Sequence, residues 1–180
     1  MTVAEQKKQE NIAEYLLFVW QMEDLARAAN FDPMAIRAMY ETSPEEQKLE
    51  EVEWFKNLCK TMKREDLLQT GHIAEVREII QELTFLHQNL MTTLNDEKYQ
   101  ALRMDAYPDL TEFLVRTQGK TKNEVEAYLT ALYGWLILRL KGAEIGEATE
   151  ASMKKFSKVV AYLSNAYKKL KSDEQNLGLN

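Results

Sequence analysis

Apolar residues recur about every 3.6 positions along nearly the whole of this chain, and very little interrupts them. Six Gly and three Pro in 180 residues leave too few turns for a sandwich or a barrel, whereas long helices need few breakers. That length buries a real core in one domain or at most two small ones. The pattern therefore predicts an all-α fold, a single helical bundle of six to seven helices, two-layered, with mostly antiparallel neighbours.

Caps and breakers place the helices. Thr2 caps a first helix running to about Asn30. Asp32-Pro33 sets a cap before Pro at the first helical position and opens a short helix through Tyr40. Ser43-Pro44-Glu45-Glu46 joins a Ser cap to a Glu three residues on, which predicts a third helix to about Gln69 with a stop near Gly71. A fourth runs from His72 to Thr93. Asn95-Asp96-Glu97 starts a fifth, which Pro108 must kink or split and which ends by Gly119. Thr121 and Glu124 form a capping box for the sixth, which Gly142 stops. The last helix spans Glu147 to Leu170. The domain is then 1–170, with 171–180 a frayed polar tail.

Charge and cysteine content narrow the function classes. The net charge is −6, and no segment gathers the Lys and Arg of a nucleic-acid groove. The lysines of the last helix read as a solvated face. Cys59 is the single cysteine, so no internal disulfide forms, and it shares a face with Val52, Phe55 and Met62 as a small core hydrophobe. Lys7 and Lys8 precede an apolar run as in a secretory signal, yet Glu5, Glu10 and Glu14 surround it and Glu23 and Asp24 follow. No stretch reaches the roughly 18 apolar residues that span a bilayer. The expectation is a cytoplasmic protein with neither membrane nor nucleic acid as partner.

Three charged or ionisable groups fall where apolar residues belong. In the first helix Ile12, Tyr15, Leu16, Val19 and Ala26 share one side, and Glu23 projects about 20° from Ile12, at the middle of that side. Gln21 and Asp24 project to water, and Arg27 lies one turn after Glu23. In the fourth helix His87 sits within the stripe of Ile73, Val76, Ile80 and Leu83. In the sixth, Arg139 shares the face of Val125, Tyr128, Leu132 and Leu136. A buried charge is costly unless paired, so Glu23 and Arg139 are expected to neutralise each other, with Arg27 or His87 close by. Such a group is either a network that sets helix register or a polar pocket for a small ligand.

No catalytic residue, metal or cofactor is expected. The residue three before His87 is Thr84, not the acid of a di-iron helix, and no Gly-rich phosphate loop occurs. His72 reads as an exposed residue near a helix start. Gly134 reads as a close-contact point between helices. Trp54, Leu58, Trp135 and Leu138 lie off the main stripes, so they pack in a second layer or face a partner.

NIAEYLLFVWQMEDLARA, GHIAEVREIIQELTFLHQNL and EAYLTALYGWLILRLKG occur in that order, with Trp20-Gln21-x-Glu23-Asp24-Leu25 as the most specific block. Together they resemble a bacterial family of all-helical proteins of about this length, a domain of unknown function. The resemblance implies a single domain and carries no activity, substrate or cofactor. Two functions stand ahead of an enzyme. One is a non-enzymatic interaction or scaffold protein with a protein partner or a second copy of itself. The other is a small-ligand-binding or sensing bundle at Glu23, His87 and Arg139.

Overall fold

Where the periodicity predicts one opening helix, the chain makes two. In the computed structural model, which describes residues 1–118, 120–121 and 123–176, α1 spans Val3–Glu10 and α2 spans Ile12–Ala28. Asn11 between them is extended, at φ −153° and ψ 106°, and its side chain accepts from the backbone N–H groups of Ala13 and Glu14. An Asn at a cap competes with the helix for its own amides, and the hydrophobic period continues across the break. A 3-10 helix over Pro33–Tyr40 follows, then α3 (Glu45–Arg64), α4 (Ala74–Met91), α5 (Glu97–Arg116), α6 (Glu124–Leu140) and α7 (Glu147–Asn176). That makes eight helices and no strand among the described residues, two of the helices arising from the split at Asn11.

The contacts divide the chain into two compact units, Met1–Ile79 and Ile80–Asn180. In the first unit α2 packs on α1, on α3 and on the 3-10 helix. Leu16, Met22 and Ala26 of α2 are fully buried, as are Ile36, Phe55 and Met62. In the second, α5, α6 and α7 pack on one another. Ala106 and Leu110 of α5 and Phe156 and Val159 of α7 are sealed there, with Tyr128 of α6 edge-on to Phe156 at 5.2 Å. Each large side chain so buried contributes about 2–3 kcal/mol.

Several boundaries differ from the expected ones for local reasons. Pro44 itself takes the extended cap position of α3, so Ser43 stands one residue too early and no side chain caps that helix. α3 stops at Arg64 rather than near Gln69, because Asp66 turns left-handed at φ 57°. The amides of Asp66 and Leu67 then reach back to the carbonyls of Lys63 and Met62, a Schellman closure. Gly142 closes α6 in the same way at φ 66°, as its position predicts. The box of Thr121 and Glu124 does not form. Asn123 caps α6 instead, and the Thr121 hydroxyl has no hydrogen-bond partner among the described residues. The expected stop at Gly119 lies outside the described residues. α7 continues to Asn176, so 171–176 are helical rather than frayed, and 177–180 lie outside the described residues. α5 passes through Pro108 as one helix. Gly134 is exposed with open space where a Cβ would stand, so it marks no close approach.

Candidate functional site

α4 begins without a local cap, since Gly71-His72-Ile73 offers no Ser, Thr, Asp or Asn before it. Its first amides are satisfied by acids from elsewhere in the first unit. The Ile73 N–H donates to Glu23 Oε1 at 2.9 Å, and the Ala74 N–H donates to Glu65 Oε2 at 2.7 Å. A carboxylate at a helix N-terminus is favoured both by the open N–H groups and by the helix dipole. Glu23 is fully buried at 0% exposure, the position the helical projection assigns it.

The second oxygen of Glu23 accepts from His72. Nδ1 of the imidazole lies 2.5 Å from Glu23 Oε2, and the ring stacks on Trp20 at 4.4 Å between centroids and 13° between planes. His72 keeps 34% of its side chain exposed, and its Nε2 has no hydrogen-bond partner among the described residues. Arg27, one turn beyond Glu23, braces the same loop. Its Nε donates to the Leu67 carbonyl at 3.2 Å, Nη2 donates to the Gly71 carbonyl, and Nη1 pairs with Asp24 at 3.1 Å. Gly71 itself needs its freedom, at φ 93°. Arg77 donates to the His72 carbonyl. Glu23 and Arg27 thus hold one loop from one face of α2.

The expected pairing of Glu23 with Arg139 is corrected. Arg139 is exposed, and its guanidinium lies over the Trp135 ring at 4.9 Å. It belongs to the last turn of α6, where a cation meets the negative helix end and a long side chain reaches water. His72, expected to be an exposed bystander, is the residue that pairs with Glu23. A signal for this exists in the sequence: an uncapped helix start needs an acceptor from elsewhere, and a buried acid needs a donor.

His87 belongs to a separate cluster in the second unit. Its Nδ1 lies 2.7 Å from the Tyr99 hydroxyl, and Nε2 lies 3.7 Å from Glu124 Oε2. Arg103 grips Glu124 through Nε at 2.9 Å and Nη2 at 2.6 Å. Burial pushes the His87 imidazole below its ordinary value, Glu124 opposes that shift, and Arg103 adds to it. Burial likewise holds the Tyr99 phenol far above its usual range, so Tyr99 keeps its proton beside Nδ1. Native His87 therefore binds a proton less readily than unfolded His87, and stability falls as pH drops below the ordinary value of 6.5. Between about pH 7 and pH 5 the wild type is expected to lose more stability to urea than His87→Gln, by up to about 1.4 kcal/mol per pH unit. Equal losses in the two proteins would refute this.

Two further features escape the helical projections quoted above. Glu51 on α3 is fully buried on the stripe of Phe55, Leu58 and Met62, and accepts from the Val3 N–H at 2.7 Å. In the second unit a groove of about 420 Å³ opens between the C-terminal halves of α4 and α7, lined by Phe85, Leu86, Leu94, Tyr167 and Leu170. Trp135, by contrast, is no bare patch: its indole N–H donates to Glu150 at 3.0 Å. Among the described residues no group of three or more His, Cys, Asp or Glu could hold a metal ion. No helix of the described residues is long and apolar enough to cross a membrane.

Residues 1–174 match the family model described as Domain of unknown function (DUF4924). No curated protein and no solved structure matches the chain.

Proposed function

We propose that this chain, which belongs to the DUF4924 family, is a cytoplasmic, non-enzymatic interaction protein that assembles with a second copy of itself through the groove between α4 and α7. The carrying observation is the convergence of large exposed apolar side chains on one cleft. Phe85 is 66% exposed and Leu94 64%, and Leu170 faces them from α7. Single exposed hydrophobes are ordinary, but several around one groove mark a contact surface.

The rim argues for a second copy. Lys171 stands between Glu82 at 3.2 Å and Glu174 at 3.3 Å, so both signs of charge border the apolar floor. A two-fold axis through the groove sets the acids of one copy against the lysine of the other, and four helices then enclose one apolar seam. The alternative ligand pocket at Glu23, His87 and Arg139 has less support, because Glu23 is satisfied by His72 and Ile73 and Arg139 is exposed on Trp135.

Sedimentation velocity at about 50 μM is expected to show a dimer, with Phe85→Asp monomeric and its helical circular dichroism unchanged. A monomeric wild type at that concentration, or a dimer that survives Phe85→Asp together with Leu170→Asp, overturns the proposal.

A further inference from the structure

The Glu23–His72 pair has a chemistry that neither helix capping nor assembly uses. We propose that Nε2 of His72 is a phosphoryl-accepting site, at which this protein takes up a phosphoryl group from a small acyl phosphate or phosphoramidate. A buried carboxylate on Nδ1–H fixes the ring tautomer and leaves the lone pair on Nε2. That nitrogen has no partner among the described residues, and the side chain is one-third exposed. The flat stack on Trp20 fixes the ring plane. Tautomer, orientation and access are thus all set for attack from Nε2.

The surroundings select among the reactions open to an imidazole. Metal binding needs further ligands, and among the described residues no group of three or more His, Cys, Asp or Glu is so arranged. Hydrolytic catalysis needs an enclosing pocket. One cleft of about 370 Å³ among the described residues of this unit is lined by Tyr15, Trp54, Asn57, Thr61 and their neighbours, without His72. A phosphoryl acceptor needs only a reachable nucleophile, since the donor brings its own leaving group. Cationic groups also stand beside this loop. Arg27 and Arg77 donate to the carbonyls of Gly71 and His72, so two guanidinium groups belong to the loop that carries the imidazole.

The step balances without an outside oxidant or reductant. The Nε2 lone pair forms a bond to phosphorus, and the bond from phosphorus to the donor's leaving atom breaks. Acetate leaves from acetyl phosphate with the electron pair of that bond, and ammonia leaves from phosphoramidate after taking up a proton. Nδ1–H keeps donating to Glu23, so the positive charge arising on the ring meets a carboxylate at one edge and an indole stacked on its face. Glu23 is a positioning residue here, because it acts through the imidazole.

The test incubates the full chain with phosphoramidate, and separately with acetyl phosphate, and reads intact mass and phosphorus NMR. The expected product carries one added HPO3, labile in acid and stable in alkali, mapped to His72 and solely as the Nε2 isomer. His72→Asn, whose amide can still donate to Glu23, is expected to show no uptake, while His87→Gln labels as the wild type does. Glu23→Gln is expected to slow uptake about tenfold or more and to give a mixture of Nδ1 and Nε2 isomers, a change that a merely structural role for Glu23 would not produce. No uptake by the wild type, uptake undiminished in His72→Asn, or label on another side chain each overturns the proposal. A folded Glu23→Gln protein with wild-type rate and isomer pattern removes Glu23 from the mechanism.

Discussion

Replacing Glu23 with Ala is expected to lower the stability of the protein by about 3 kcal/mol or more. The side chain is fully buried, and two donors depend on it, the Ile73 amide and Nδ1 of His72. Truncation strands both and opens a cavity where the carboxylate stood, and nothing else in the sequence of the α4 start can take up the Ile73 N–H. Glu23→Gln keeps the volume and one acceptor oxygen, so it is expected to cost about half as much. Urea denaturation measures both losses. Hydrogen exchange adds a local reading, since the amides of Ile73 and Ala74 lose protection first in Glu23→Ala. A loss below about 0.5 kcal/mol, typical of an exposed site, would show that the carboxylate does not cap α4.

Replacing Pro108 with Ala is expected to raise stability by about 2 kcal/mol. Pro108 lies inside the continuous α5, where it cannot donate to the Met104 carbonyl and its ring crowds that same group. The position is exposed, so no core packing is lost when the ring is removed. Alanine restores the missing hydrogen bond, and its greater freedom in the unfolded chain offsets part of that gain. Thermal and urea melts of the variant decide the sign. A destabilised Pro108→Ala would mean that α5 depends on the proline, for a bend or for a surface contact.

Much of the fold is legible in the sequence because helices are specified locally. The starts at Thr2, Asp32 and Asp96 and the stop at Gly142 follow from side chains reaching their own neighbouring backbone. The misses share a cause. At Asn11 a cap breaks a helix whose apolar period runs on, and at Asp66 an acid takes the left-handed turn usually given to Gly. In both places a local backbone choice overrides a pattern that reports only burial. Glu124, expected to cap α6, instead binds Arg103, because a bidentate guanidinium bond outcompetes a capping contact.

The candidate site divides along the same line. That Glu23 is buried was fixed by its place on the stripe of α2, since a helix of known phase must turn that angle inward. Which donor meets it was not, because a helical projection gives the direction of a side chain and says nothing of what stands opposite. Arg139 has a suitable charge and phase but ends in water at the last turn of α6. His72 has no phase at all, lying in the loop before α4, and is placed by the turn at Asp66, the left-handed Gly71 and the bracing of Arg27. The sequence alone determined a helical chain, several of its caps and a misplaced acid. The partner of that acid was decided by tertiary structure, because pairing depends on distances between segments that no local periodicity records.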